Sequence, residues 1–178
     1  MSFDVGDKVV YPHHGAAVIE RSERREVFGT DREYLVLRVA HDGLTLSVPA
    51  DNTASVGLRD VINDEEILDV LAVLAKKGAR TPSNWSRRFK NHTEKLKSGD
   101  VYQVAEVVRN LSLRQADHGL SAGESTMLSR ARRVLVSELS FALDVSDEEA
   151  GRRLDAAMGS AEQTCENPLL LAAPQHPE

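Results

Sequence analysis

Between Asp7 and Val61 the apolar residues fall in short β-branched runs of period two, whereas after Asn63 they recur every three to four positions. A period of two sends alternate side chains to opposite faces of a strand, and one near 3.6 gathers them on one face of a helix. A chain that changes period once folds as strands followed by helices, an α+β order rather than alternating βαβ units. The expected division is a β module over residues 1–62, a helical module over 63–161 and a tail over 162–178.

In the first module Lys8–Tyr11 is one run, and Ala16–Ile19 begins another that continues through charged residues to Val27. Tyr34–Val39 is nearly all apolar, and Leu44, Leu46 and Val48 alternate with Thr45 and Ser47. Phe28-Gly29-Thr30-Asp31 supplies a turn, and Asp42-Gly43 is the strongest two-residue hairpin signal. Four or five such strands must curl to bury themselves, so the expected architecture is a small SH3-like or Tudor-like barrel.

Capping-box pairs then mark helix starts: Asn63 with Glu66, Asp100 with Gln103, Ser121 with Glu124, and Ser146 with Glu149. Another helix is expected from Pro82-Ser83 through Trp85, Phe89 and Leu96 to Ser98-Gly99, which makes about five. The last, Asp147–Ala161, contains Gly151 and Gly159, each worth about 1 kcal/mol less than Ala in a helix interior. Residues 162–178 have no period and contain Pro168, Pro174 and Pro177, so a disordered tail is expected.

The net charge of −6 conceals three unequal parts. Residues 1–75 carry −7, residues 76–143 carry +7 and residues 144–178 carry −6. A basic middle between acidic flanks suggests that one module meets phosphate, although solvated helix faces produce the same asymmetry. No apolar run approaches the ~20 residues of a membrane span. Asp4, Asp7 and Glu20 near the start do not suit a targeting segment, so a cytoplasmic location is expected. Cys165 is the sole cysteine and allows no internal disulfide or thiolate cluster.

Catalytic and metal readings find little material. Adjacent side chains such as His13 and His14 diverge on a regular strand and cannot share one metal. Asp64, Glu65 and Glu66 fill the first turn of a capped helix, where carboxylates complement the dipole. No catalytic triad, phosphate-binding glycine loop or zinc-protease signature occurs, so neither an enzyme nor a cofactor or small-molecule substrate is expected. The stretch Pro82–Lys90 differs, because the only Trp stands there among Arg87, Arg88 and Lys90. Phe89 follows Trp85 by four positions and Leu96 follows Phe89 by seven, a spacing that suits a core residue. It equally suits a ring presented to nucleic acid with cations on the phosphates, and Arg130, Arg132 and Arg133 extend that surface.

Several segments together resemble the CarD/CdnL family of bacterial RNA polymerase-binding transcription regulators, over residues 3 to about 143. They are Val5-Gly6-Asp7, Val9–Gly15, Tyr34–Leu37, Asn84–Arg88, Ser98-Gly99-Asp100, Val104–Arg109 and Gly119–Glu124. The resemblance implies a Tudor-like domain that binds the polymerase β subunit and a helical domain that contacts promoter DNA at the upstream edge of the transcription bubble. It implies polymerase contacts at Arg25 and at the position of Ser47, and DNA contacts at Trp85, Arg87, Arg88 and Lys90. Close relatives usually carry basic residues where this chain has Ser47 and Ser125, which points to a paralogue with weakened or altered contacts. The other class left open is a protein–protein adaptor whose helical module makes no productive DNA contact.

Overall fold

The computed structural model describes residues 3–77 and 81–159. The alternating segment forms five antiparallel strands: β1 (Lys8–Tyr11), β2 (Gly15–Val27), β3 (Thr30–Val39), β4 (Thr45–Pro49) and β5 (Arg59–Asp60). Their spatial order is β4-β3-β2-β1-β5, with a 3₁₀ turn at Ala50–Asn52 on the way from β4 to β5. The long β2–β3 pairing changes register at Glu20, where Ile19 faces Leu37 but Arg21 faces Val36. One extra residue on one strand bends it and increases its twist. The near half of the hairpin therefore wraps a core of Val9, Ala17, Ile19, Leu35, Leu37, Val39, Val48 and Leu58, while Arg21 to Arg32 stand in solvent.

Turn chemistry departs from expectation at two places. Val27 pairs with Thr30, so Phe28 and Gly29, at φ 52° and 72°, make a two-residue turn of the kind that matches strand twist. Asp42-Gly43 makes no such turn, because β3 ends at Val39 and β4 begins only at Thr45. The Leu44 N–H donates to the Asp42 carboxylate at 3.0 Å and Val39 N–H to Leu44 O at 2.9 Å, which holds a longer loop.

Five helices follow: α1 (Asp64–Ala75), α2 (Trp85–Ser98), α3 (Val101–Asp117), α4 (Ala122–Leu143) and α5 (Asp147–Gly159). The Asn63/Glu66 and Ser121/Glu124 boxes are complete, with side chain and backbone exchanged in both directions. Asp100 and Ser146 accept from the helix backbone, but Gln103 turns to Asp100 Oδ2 and Glu149 to Arg152 and Arg153, so neither box closes. α2 begins later than expected, because Asn84 is its cap and accepts from Arg87 N–H at 3.1 Å. The helices enclose a core that includes Ile67, Val70, Val107, Leu111, Leu135, Leu139 and Leu154. The tail expected over 162–178, and the end of the fifth helix at Ala161, lie outside the described residues.

Sheet and helices meet along α4. Gly15, at φ 86°, faces α4 so closely that an added Cβ would stand 3.4 Å from Ser137 and 3.5 Å from Val134, and Ala16 N–H donates to Ser137 Oγ at 3.2 Å. Arg59 donates to both oxygens of Glu138, at 2.6 and 2.9 Å, and to Gly99 O at 3.3 Å. Glu138 is 2% exposed, so the sheet supplies the counter-charge for a carboxylate buried on a helix.

Candidate functional site

Arg25 and Ser47, far apart in sequence, meet on the outer face of the β2–β3–β4 ladder. Arg25 Nη2 donates to Ser47 Oγ at 3.3 Å and to Glu23 Oε2 at 2.6 Å, and the guanidinium lies 5.3 Å from the Tyr34 ring centre. Glu23 also accepts from Arg21 Nε at 2.5 Å. These hydrogen bonds, from Arg25 first and then Arg21, hold the Glu23 carboxyl below the usual carboxylate range. The guanidinium is thus oriented but still exposed, with Nη1 free of any partner among the described residues to meet an acidic group. At the far end of the same hairpin Phe28 stands fully in solvent with a left-handed backbone. Sequence reasoning reads this residue only as part of a turn, although a large aromatic ring beside a turn glycine is a signal that it does more.

Trp85 opens α2 and is 48% exposed. Its ring stacks on Phe89 with centroids 5.2 Å apart, and Nε1 donates to Ser121 Oγ at 3.1 Å. Phe89 in turn packs where Gly123 lacks a side chain, since a Cβ there would stand 3.2 Å from the Phe89 ring. Phe89 and Leu96 join the helical core and Trp85 does not. The indole is thus exposed, as a ring presented to a partner requires, and is not part of the core that its spacing also allows: the first turn of α2 overhangs the core edge and leaves one face of the indole in solvent.

Arg88 occupies a different place from its neighbours. It is 1% exposed, its Nε donates to Glu124 Oε1 at 2.8 Å, and its Nη1 donates to the carbonyls of Pro82 and Ser83 at 3.0 and 3.1 Å. A guanidinium enclosed in this way has no path to a phosphate, so its expected DNA contact is corrected to a positioning role. Burial pushes the Glu124 carboxyl up, but hydrogen bonds from Arg88 and Ser121 outweigh it and leave the group below the usual range. Ser121 Oγ donates to Glu124 Oε2 at 3.0 Å and accepts from Trp85, which links the buried ion pair to the exposed ring. The Ser121/Glu124 pair is legible in the sequence as a cap; its second role, holding Trp85 and Arg88, is not.

Arg87 and Lys90 are exposed on α2 beside the indole, and Lys90 has only a 4.0 Å contact with Glu94 in full solvent. Such a surface pair contributes little and leaves the ammonium available. Arg130 is exposed on α4, whereas Arg132 is bound to Asp155 of α5 through two hydrogen bonds of 2.6 and 2.7 Å and so leaves the basic surface expected of it. Ser125 is exposed one turn into α4. His13 lies at φ 70° in the β1–β2 turn and the His14 ring leans on Tyr11 at 5.4 Å. Among the described residues no group of three His, Cys, Asp or Glu could hold a metal ion.

Two family models match the chain, the CarD-like/TRCF RID domain over residues 3–62 and the CarD C-terminal domain over residues 69–155. The Bacillus subtilis (strain 168) protein YdeB, provisionally named a transcription factor, is 30% identical over 147 residues, which cover 83% of this chain and 96% of that protein. The first match contains the Arg25–Ser47 face and the second contains the Trp85 cluster. With sheet and helices each matched, and with a relative aligned along nearly its whole length, the chain belongs to the CarD/CdnL family.

Proposed function

We propose that this protein is a cytoplasmic transcription regulator that binds the RNA polymerase β subunit through its sheet and promoter DNA through its helices. The observation that carries the reading is a rigid, half-exposed indole at the start of α2 with Arg87 and Lys90 beside it. A broad apolar ring packs against a distorted base step, and nearby cations hold the backbone in register. Distortion of that kind occurs at the upstream edge of the transcription bubble, so binding there favours the melted promoter over the closed one. No catalytic step is needed, because differential affinity for two states is enough to shift their populations.

On the polymerase side, Arg25 offers an oriented guanidinium to an acidic partner, with Ser47 and Tyr34 as its neighbours. Where relatives place a second cation, this chain has the Ser47 hydroxyl, so its polymerase contact is weaker per residue. The burial of Arg88 and the neutral Ser125 leave fewer cations on the DNA side, which favours as a second reading an adaptor that holds polymerase without productive DNA contact. One experiment separates them. Open-complex lifetime is measured on an unstable promoter with wild-type protein, Trp85→Ala and Arg25→Glu. Trp85→Ala is expected to shorten the lifetime and leave polymerase binding intact; Arg25→Glu is expected to abolish both. Equal lifetimes for wild type and Trp85→Ala would leave only the adaptor reading.

A further inference from the structure

We infer that His13, Lys97 and Arg130 form a second phosphate-binding surface where the sheet meets α2 and α4, and that it grips the DNA backbone away from Trp85. This inference rests on the DNA-contact reading above and extends its footprint. His13 and Arg130 line one small cavity of about 30 Å³ at the junction, together with Leu96 and the Arg59–Glu138 pair, whose carboxylate is already taken by Arg59, and Lys97 is the next residue on α2. All three polar side chains belong to exposed residues. Burial, and then the charges of Arg130, His14 and Lys97, hold the His13 imidazole below its ordinary pKa, so both cations act on the same spot.

Three neighbouring cations differ from these two in being paired. Arg59 has Glu138, Lys95 has Glu106 and Arg132 has Asp155, whereas neither Lys97 nor Arg130 has a carboxylate at ion-pair distance among the described residues. Lys97 in the last turn of α2 also complements the helix dipole. Arg130 is in the middle of α4, where no helix end explains it. Like charges kept together without a counter-charge raise the local potential and attract an anion. Twelve residues separate Trp85 from Lys97, about 18 Å along a helix. That is roughly five base pairs of duplex rise. A duplex laid along α2 then meets the indole, Arg87 and Lys90 at one end and the junction cations at the other. A phosphodiester there takes a point charge from Lys97, a forked pair of donors from Arg130 and one N–H from His13.

The test uses the full chain, a labelled forked duplex and salt between about 50 and 200 mM. Lys97→Ala/Arg130→Ala is expected to flatten the plot of log affinity against log salt by about two, one for each phosphate that is no longer neutralised. Its melting temperature and its capture by polymerase should match wild type, since both side chains are exposed. An unchanged slope, alongside a flattened one for Arg87→Ala/Lys90→Ala, would overturn the junction surface and keep the Trp85 surface. Loss of polymerase capture with an unchanged slope would also overturn it, by assigning the cations to a protein partner. Wild-type protein with no salt-dependent DNA affinity, with or without polymerase, would remove the DNA reading and this inference together.

Discussion

Arg88 and Glu124 face each other across 2.8 Å with both side chains 2% exposed, and the same carboxylate holds the Ser121 hydroxyl that accepts from Trp85. A buried ion pair thus sets the pose of an exposed ring. Removing one partner of such a pair strands a charge in a dry site, which costs about 3–5 kcal/mol. Arg88→Ala should fall at the low end of that range, because Arg114 stands 3.9 Å from Glu124 and shares its charge. Urea denaturation of the full chain measures the loss, and Arg88→Met/Glu124→Met should recover much of it. A loss below about 1 kcal/mol would return Arg88 to the surface and to phosphate.

Arg59→Ala should act on the junction between sheet and helices. The variant leaves Glu138, 2% exposed, without its two charge-assisted hydrogen bonds. The expected loss is again about 3–5 kcal/mol, accompanied by faster proteolysis near residues 60–63, where the chain passes from β5 to α1. Glu138→Leu removes the charge together with the pair and should cost less. If both variants are cut at the wild-type rate, the junction is held by its other contacts, those of Gly15 and Ala16 with Ser137 and of Lys8 with Phe141 and Asp144.

Much of this architecture is legible from periodicity, because one-face burial imposes a period of two on the strands and of about 3.6 on the helices. The two closed capping boxes are legible for the same local reason. Arg88 is not. In sequence it is one basic residue among several, and only folding brings Glu124, 36 positions on, against its guanidinium. The meeting of Arg25 with Ser47 depends on strand register, which the unexpectedly long loop around Asp42-Gly43 sets. Lys97, Arg130 and His13 come from three separate elements, and no local pattern announces their convergence.

Phe28 combines two unfavourable features, a left-handed backbone for a bulky residue and a fully exposed ring. Asn adopts that conformation more readily than Phe, so Phe28→Asn should raise stability, by an amount on the order of 0.5–1 kcal/mol. The same change should weaken polymerase capture if the ring is an apolar anchor at the tip of the hairpin that carries Arg25. Capture assays on wild type and Phe28→Asn, run beside thermal melts, decide the point. Undiminished capture by the more stable variant would show that the exposed ring serves no partner.

His92 makes acid sensitivity predictable. The ring is 1% exposed, neither nitrogen has a hydrogen-bond partner, and burial, aided by Lys95 and Arg88, lowers its pKa to about 4. Unfolded, the imidazole titrates near 6.5, so between these values the unfolded chain binds more protons and folding stability rises with pH. The contribution is fully present above about pH 6.5 and declines as pH falls toward 4, at up to about 1.4 kcal/mol per unit. His92→Leu fills a similar volume without a titrating group and leaves no buried nitrogen unpartnered. It should flatten the dependence in that window and exceed wild type in stability at pH 5, by about 1–2 kcal/mol. Denaturant midpoints at pH 5 and pH 7 for both proteins give the answer, and parallel pH slopes would mean that water or an alternative rotamer satisfies the ring.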